Sequence, residues 1–150
     1  MKHVFISLLL LTGITLGVSA QDSAKAKTQD VPQSVQAALK SAYPAAKDIE
    51  WKMKDGIYKA SFEVNGTEHF AGITSSGEVK SKGAEIPADQ LPSTISSAIK
   101  TSYANWKIDD VFRVEENGSS SYLVELDGNP DKQVHYSSDG KLIKEMEDEG

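Results

Sequence analysis

Cysteine is absent from the 150 residues, which excludes disulfides, thiolate metal sites, iron–sulfur clusters, a cysteine nucleophile and a lipid-modified N-terminal cysteine. Basic residues are the minority: 16 Lys and Arg stand against 22 Asp and Glu, for a formal net charge of −6. Neutralising phosphates needs a basic footprint, so no nucleic-acid partner is expected, and an anionic membrane surface is disfavoured on the same ground. Histidine is scarce, with three copies, and aromatic residues make up 7%. No Gly-x-Ser-x-Gly elbow, phosphate-cradling loop or His-Glu-x-x-His helix occurs. What is present, 39% hydrophobic and 25% charged residues, is the composition of an ordinary globular chain, long enough for one domain or two very small ones.

Met1-Lys2-His3 is a short basic start, Val4 to Val18 is an apolar run, and Val18-Ser19-Ala20 places compact residues before Gln21. Residues 1–20 therefore read as a secretory signal peptide, too short in its apolar part to span a bilayer. No later stretch is apolar enough to cross, so no membrane insertion is expected once the signal is cleaved. Residues 21–30 (QDSAKAKTQD) are polar and aperiodic and are expected to be a flexible leader. Without disulfides, the remaining chain must be stabilised by its core.

From Val31 onward the chain repeats itself after about 60 residues, an internal duplication. Val31-Pro32 matches Leu91-Pro92, and Tyr43 matches Tyr103. Each copy opens with an amphipathic helical stripe: Val35, Ala38, Leu39, Ala42, Tyr43 in the first, Ile95, Ala98, Ile99, Ser102, Tyr103 in the second. Asp30 with Gln33 resembles a capping box, Ser93 or Asp89 offers a cap for the second helix, and Pro44 stops the first.

Turn chemistry then sets strand register. Asp55-Gly56 is a two-residue hairpin signal that opposes Met53 to Tyr58, Trp51 to Ala60 and Ile49 to Phe62. Asn65-Gly66 continues the same face, with His69 opposite Phe62, Ala71 opposite Ala60 and Ile73 opposite Tyr58. Ser75-Ser76-Gly77, with Gly in the left-handed position, brings Val79 opposite Ile73. The second copy follows with Phe112, Val114, Tyr122, Val124, Leu126, Val134, Tyr136 and Leu142 as its buried set, turning near Asn117-Gly118-Ser119, at Asp127 to Asp131 and at Asp139-Gly140. The expected fold is α+β: two tandem repeats, each a helix followed by four antiparallel strands, with the helices packed on one face of the sheet. The repeats run over residues 31–82 and 91–145, joined by a linker at 83–90 and followed by an acidic tail at 146–150.

At these motifs the chain resembles a known family. VPQSVQAALKSAYPAAKDIEW, GIYKASFEVNG and ITSSGEV, then LPSTISSAIKTSYANWKIDDVFRVEENG, YLVELDG and YSSDGKLI, are similar to two units of the PepSY-like, β-lactamase-inhibitor-like periplasmic proteins. The resemblance spans Val31 to Glu145. It implies a helix-plus-antiparallel-sheet fold in the bacterial periplasm and an inhibitor-like or ligand-binding role.

Catalytic groups are thin. His69 is expected partly buried on the core side, His135 on the outward face, and the serines cluster in turns where they serve the backbone. Asp127-Gly128-Asn129-Pro130-Asp131 begins like a calcium loop, but Lys132 stands where the loop needs Gly and Ser138 where it needs a bidentate Glu. Asn65-Gly66-Thr67 and Asn117-Gly118-Ser119 match glycosylation acceptors, yet hairpin geometry already explains both Asn-Gly pairs. Neither a cofactor nor a metal ion is called for, and an enzyme is not expected.

What remains is surface. The outward sheet face carries Glu50, Lys52, Lys54, Lys59, Glu63, Glu68 and Phe70 in the first copy and Arg113, Glu115, Leu123, Glu125 and His135 in the second. Such a mixed-charge face is commonly only solvated. As a binding face it offers Lys52, Lys54, Lys59 and Arg113 as a steering rim, Phe70, Leu123 and Trp106 as apolar anchors, and His135 beside them. The expectation is a non-enzymatic secreted module that binds an envelope protein or peptide through its sheet face or edge. The alternative is a binder of a small ligand or metal ion.

Overall fold

The computed structural model describes residues 24–27 and 30–148, so the signal-peptide reading of residues 1–20 lies outside the described residues. Among the described residues there are two helices, α1 (Gln33–Ala42) and α2 (Ser93–Ser102). Nine strands accompany them: β1 (Ala24–Ala26), β2 (Lys47–Lys54), β3 (Ile57–Val64), β4 (Thr67–Thr74), β5 (Val79–Glu85), β6 (Lys107–Glu116), β7 (Ser119–Asp127), β8 (Asp131–Ser137) and β9 (Leu142–Asp148). Each strand is hydrogen-bonded to the next in chain order. The class is α+β, and each helix precedes four antiparallel strands as the repeat requires. By compactness α1, β1–β3 and most of β4 form one unit, and α2, most of β5 and β6–β9 form the other.

Both helices start after an extended proline. Val35 and Gln36 donate to the Pro32 carbonyl at 3.0 and 3.1 Å, Ile95 and Ser96 to that of Pro92 at 2.9 and 3.0 Å. No side chain caps either start, so the expected Asp30–Gln33 box and the Ser93 or Asp89 cap do not form. Instead Gln36 Nε2 ties back to the Val31 carbonyl at 2.8 Å, and Ser96 Oγ to that of Pro92 at 3.0 Å. The apolar stripes go where the period sends them. In the first unit Val31, Val35 and Leu39 pack with Trp51, Ala60, Phe62, Ala71 and Ile73. In the second, Leu91, Ile95, Ile99 and Tyr103 pack with Val111, Val124, Leu126, Val134 and Tyr136.

The hairpin turns have the expected chemistry. Asp55-Gly56, Asn65-Gly66 and Asn117-Gly118 hold φ of 52 and 76°, 52 and 81°, and 50 and 77°, the left-handed pair of a type I′ turn. Accordingly Met53 faces Tyr58 and Trp51 faces Ala60. Gly77 and Gly140 take φ of 89 and 90° and close the equivalent three-residue turns, with Thr74 donating to the Glu78 carbonyl and Ser137 to that of Lys141, each at 2.9 Å. Both turns sit on the start of their helix. Ser34 Oγ donates to the Ser75 carbonyl at 2.7 Å, and a Cβ on Gly77 would lie 2.9 Å from the Ser34 carbonyl oxygen, one on Gly140 3.1 Å from Thr94 Oγ1.

Several expectations fail, each for a backbone reason. Pairing slips between Lys47 and Glu50, where Asp48 takes φ 52°; this bulge turns Ile49 out, and it is 39% exposed rather than packed on Phe62. The second copy has the matching slip between Ile108 and Val111. Beyond it the pairing is set by Asn117-Gly118, which joins Glu116 to Ser119 as a two-residue turn rather than one over Asn117-Gly118-Ser119. Phe112 then pairs with Leu123 and Val114 with Ser121, while Val111 pairs with Val124, so Phe112 and Val114 occupy the face away from α2. Val79 and Leu142 begin their strands and stay exposed at 39% and 43%. The leader contributes β1, with Ala24 opposite Met53 and Ala26 opposite Trp51, because an open strand edge offers backbone groups that pair whatever the side chains. Gly83, Ala84 and Glu85, expected in the linker, extend β5 along β6, after which Ala88–Gln90 form one 3-10 turn.

Gly56 and Gly77 separate two costs. Nothing lies within 4 Å of a Cβ on Gly56, so Gly56→Ala is expected to cost about 1–2 kcal/mol for the left-handed backbone alone. Gly77→Ala adds a clash with the helix backbone and should lose distinctly more in urea unfolding.

Candidate interaction surfaces

On the face of β2 and β3 turned away from α1, Lys52 stands directly opposite Lys59, Glu50 opposite Ser61 and Lys54 opposite Ile57. All three lysines are half-buried. Like charges placed opposite one another in a sheet destabilise it by a few tenths of a kcal/mol to about 1 kcal/mol. This is the region where the sequence expected a steering rim, and the lysines do lie together there. Phe70, expected as an anchor on the same face, is only 4% exposed. His69 is half-buried, and burial lowers its pKa.

In the second unit the face away from α2 is buried as well. Phe112, Val114 and Leu123 are 1%, 0% and 1% exposed, and Ser121, Glu125 and Gln133 are 9%, 5% and 2% exposed. Leu123 is therefore not an exposed anchor: alternation along a strand gives the face a side chain occupies, not whether that face meets water. His135 lies opposite Leu123 and is half-buried, with its Nε2 2.7 Å from Ser121 Oγ. Burial lowers its pKa first and the Lys144 charge second, which favours the neutral imidazole; either ring nitrogen or hydroxyl can donate in this bond, according to the tautomer. The bond satisfies two groups that would otherwise be buried unpaired. Next along the strands, Gln133 Nε2 donates to Glu125 Oε1 at 3.2 Å, and Gln133 Oε1 has no partner. The opposition of Glu125 and Gln133 follows only once the turn after β7 is known.

Arg113 lies opposite Tyr122, on the α2 side of the sheet rather than beside Leu123, and is exposed. The two-residue turn that puts Phe112 opposite Leu123 puts Arg113 on the other face. Trp106 is half-buried at a corner built by the Asp127–Asp131 connection. Its Nε1 donates to the Pro130 carbonyl at 2.8 Å, Tyr103 meets it edge-on at 6.1 Å, and Lys132 Nζ stands 5.4 Å from its ring centre. Gly128 packs so close that an added Cβ would lie 2.2 Å from Trp106 Cδ1. The Asp131 carboxylate accepts the Gly128 N–H at 2.9 Å. Lys132 Nζ bonds Glu145 at 2.5 Å and lies 3.7 Å from Glu147. Tyr103 donates its hydroxyl to the other oxygen of Glu145 at 2.6 Å.

Lys132 first and Tyr103 second hold the Glu145 carboxyl below its ordinary value, against burial. Burial and then Glu145 push the Tyr103 hydroxyl up, so it remains a donor. Among the described residues no three His, Asp or Glu side chains gather as a metal site, and no helix is long and apolar enough to cross a membrane.

The edges are blunted. β1 has three residues, and β9 carries Lys144, Glu145 and Glu147 and slips register between its pairings to His135 and Tyr136. A very short strand, a bulge and charge are the devices that discourage strand addition.

A depressed carboxyl contributes stability above its unfolded pKa and loses it as pH falls through its folded value. Thermal unfolding of the parent should therefore show a loss of stability as pH drops below the ordinary 4.5 of Glu145, and Glu145→Gln should flatten that part of the profile. An unchanged profile would show that Glu145 makes no such bond in solution.

Comparison with known proteins agrees with this geometry. Among curated proteins none matches the chain. Solved structures do. A BLIP-like protein from Bacteroides fragilis is 27% identical, with 79% of this chain and 91% of that one covered at a TM-score of 0.58. A DUF2874 family protein from Bacteroides ovatus is also 27% identical, covering 79% and 89% at 0.62. A structure from Bacteroides eggerthii named among "putative periplasmic proteins" shares the fold at 22% identity, covering 78% and 88% at 0.67. Residues 56–144 match the family model described as "Putative beta-lactamase-inhibitor-like, PepSY-like", and the chain belongs to that family.

Proposed function

We propose that the chain is a non-catalytic binding module of the bacterial periplasm that holds an acidic protein or peptide partner on the sheet face turned away from α1. The observation that carries this reading is Lys52 directly opposite Lys59, with Lys54 on the same face. Three ammonium groups gathered on one face attract an anionic partner. Charge follows the same division: residues 31–82 hold seven Lys against six acids, whereas 91–150 hold six basic residues against twelve acids. A partner steered by charge meets the first copy favourably and the second unfavourably. The face is favoured over the edge because both edges carry devices against strand pairing. A sheet clamped by tight turns presents its side chains with little ordering cost, which suits the inhibitor-like role that the family description suggests. The small-ligand reading draws on a separate observation, the buried Gln133 Oε1 without a partner.

Immobilised wild-type chain should retain a partner from a periplasmic extract, and Lys52→Glu, Lys54→Glu, Lys59→Glu together should lose it. The triple variant keeps a like-charge pair at positions 52 and 59 and should melt close to the parent temperature. Retention of the same partner by both chains, at equal strength and with no salt dependence, removes this face from consideration.

A further inference from the structure

The outer edge of β2 is only partly covered. β1 pairs antiparallel with three of its eight residues, Ala24 opposite Met53, Lys25 opposite Lys52 and Ala26 opposite Trp51. After Ala26 the chain leaves the edge: the Asp30 N–H closes a turn on the Lys27 carbonyl at 2.9 Å, and α1 follows. Lys47 to Glu50 are not reached by β1. What β1 brings to the pairing is small. Alanine is depleted in strands and has little to pack on a cross-strand partner. Met53 stays 41% exposed with Ala24 opposite it, and Ile49, beyond the end of β1, is 39% exposed. Between the alanines, two residues of the same charge are register partners.

β2 keeps its place without β1, because Trp51 is packed in the core under α1 and the strand is paired to β3 from Lys47 to Lys54. Its edge is therefore a preformed template. A strand added to a sheet edge takes affinity from main-chain hydrogen bonds and specificity from its alternate side chains. Register states which side chains pair better than those of β1. A β-branched residue at the positions of Ala24 and Ala26 suits the pleated surface beside Met53 and Trp51. An acid at the position of Lys25 sets opposite charges across from each other at Lys52. We propose that the edge of β2 is a strand-exchange site, at which an extended peptide with an acidic residue between two β-branched ones displaces β1 and pairs antiparallel with Trp51, Lys52 and Met53. β1 holds the edge against strands that pair no better than itself, which is how a very short edge strand discourages indiscriminate addition. The site is the backbone edge rather than the lysine face. Lys52 belongs to both, so the test is set on residues of β1.

The test uses the full chain and a fluorescent peptide with the sequence of residues 21–30 carrying Ala24→Val, Lys25→Glu and Ala26→Val together. Anisotropy reads binding, and the amide resonances of Ala24, Lys25 and Ala26 read displacement. The peptide should bind saturably and move those resonances to random-coil positions, while the amides of Trp51 to Met53 stay protected from exchange. Returning Lys to the central position of the peptide should weaken binding by about threefold or more. In the chain, Ala24→Pro with Ala26→Pro disfavours β1 and should tighten peptide binding, whereas Lys25→Glu favours β1 and should weaken it. No saturable binding, binding that leaves the Ala24 to Ala26 resonances in place, equal affinity for the Glu and Lys peptides, or no gain on the proline double variant overturns the proposal. The proline variant keeps Lys52, Lys54 and Lys59, so partner capture by the lysine face should persist in it, and the two readings fail separately.

Discussion

Strand register is the constraint from which the rest of this molecule follows, and three dipeptides set it. Asp55-Gly56, Asn65-Gly66 and Asn117-Gly118 each put two successive residues at positive φ, a conformation whose twist matches that of the strands it joins. Side chains alternate with a period of two, so a slip of one residue would send every core side chain to the other face. With register held, Trp51 and Ala60 meet under α1, and Val111 and Val124 meet under α2. Neither ten-residue helix is long enough to be stable by itself. The sheet face gives each apolar stripe a surface to lie on.

The same register distributes the polar chemistry. On the α2 side it brings Lys132 and Glu145 within reach of Tyr103 at the end of the helix, tying β8 and β9 to α2 through Glu145. On the other side it stacks Ser121, Leu123 and Glu125 against Ser137, His135 and Gln133. That face mixes satisfied bonds, such as His135 with Ser121, with an acceptor left unmade at Gln133. The duplicated plan is carried to fine detail, since both copies dock a positive-φ glycine of the last turn on the first turn of the helix. The copies differ in charge and in the side chains on the face away from their helix, which is where the proposed binding chemistry differs too.

Helices, turns and most strand partners were legible in the sequence because each has a local cause: an apolar period, a proline, an Asx-Gly pair. The bulges were not. Asp48 takes a left-handed conformation without being glycine, and nothing local announces it. Phe112 and Val114 read as core under α2 when the turn is taken over Asn117-Gly118-Ser119, whereas Glu116 pairs with Ser119 across a two-residue turn and places both on the opposite face. β1 was illegible because residues 21–30 carry no apolar period, and strand pairing uses backbone groups that every such residue has. Of the candidate surface, the lysines followed directly from alternation around Asp55-Gly56. Burial of Phe70 and Leu123 did not, because coverage of a face is a tertiary property. The pairing of Glu125 with Gln133 depends on how the Asp127–Asp131 connection closes, a geometry that involves Trp106, Gly128 and Pro130 together.

The most direct test of turn-fixed register is a map of cross-strand nuclear Overhauser contacts through β6, β7 and β8. Contacts are expected between Val111 and Val124, between Phe112 and Leu123, and between Glu125 and Gln133. A map displaced by one residue, with Phe112 meeting Val124, would return Phe112 to the core, separate Glu125 from Gln133 and contradict the register on which both faces depend.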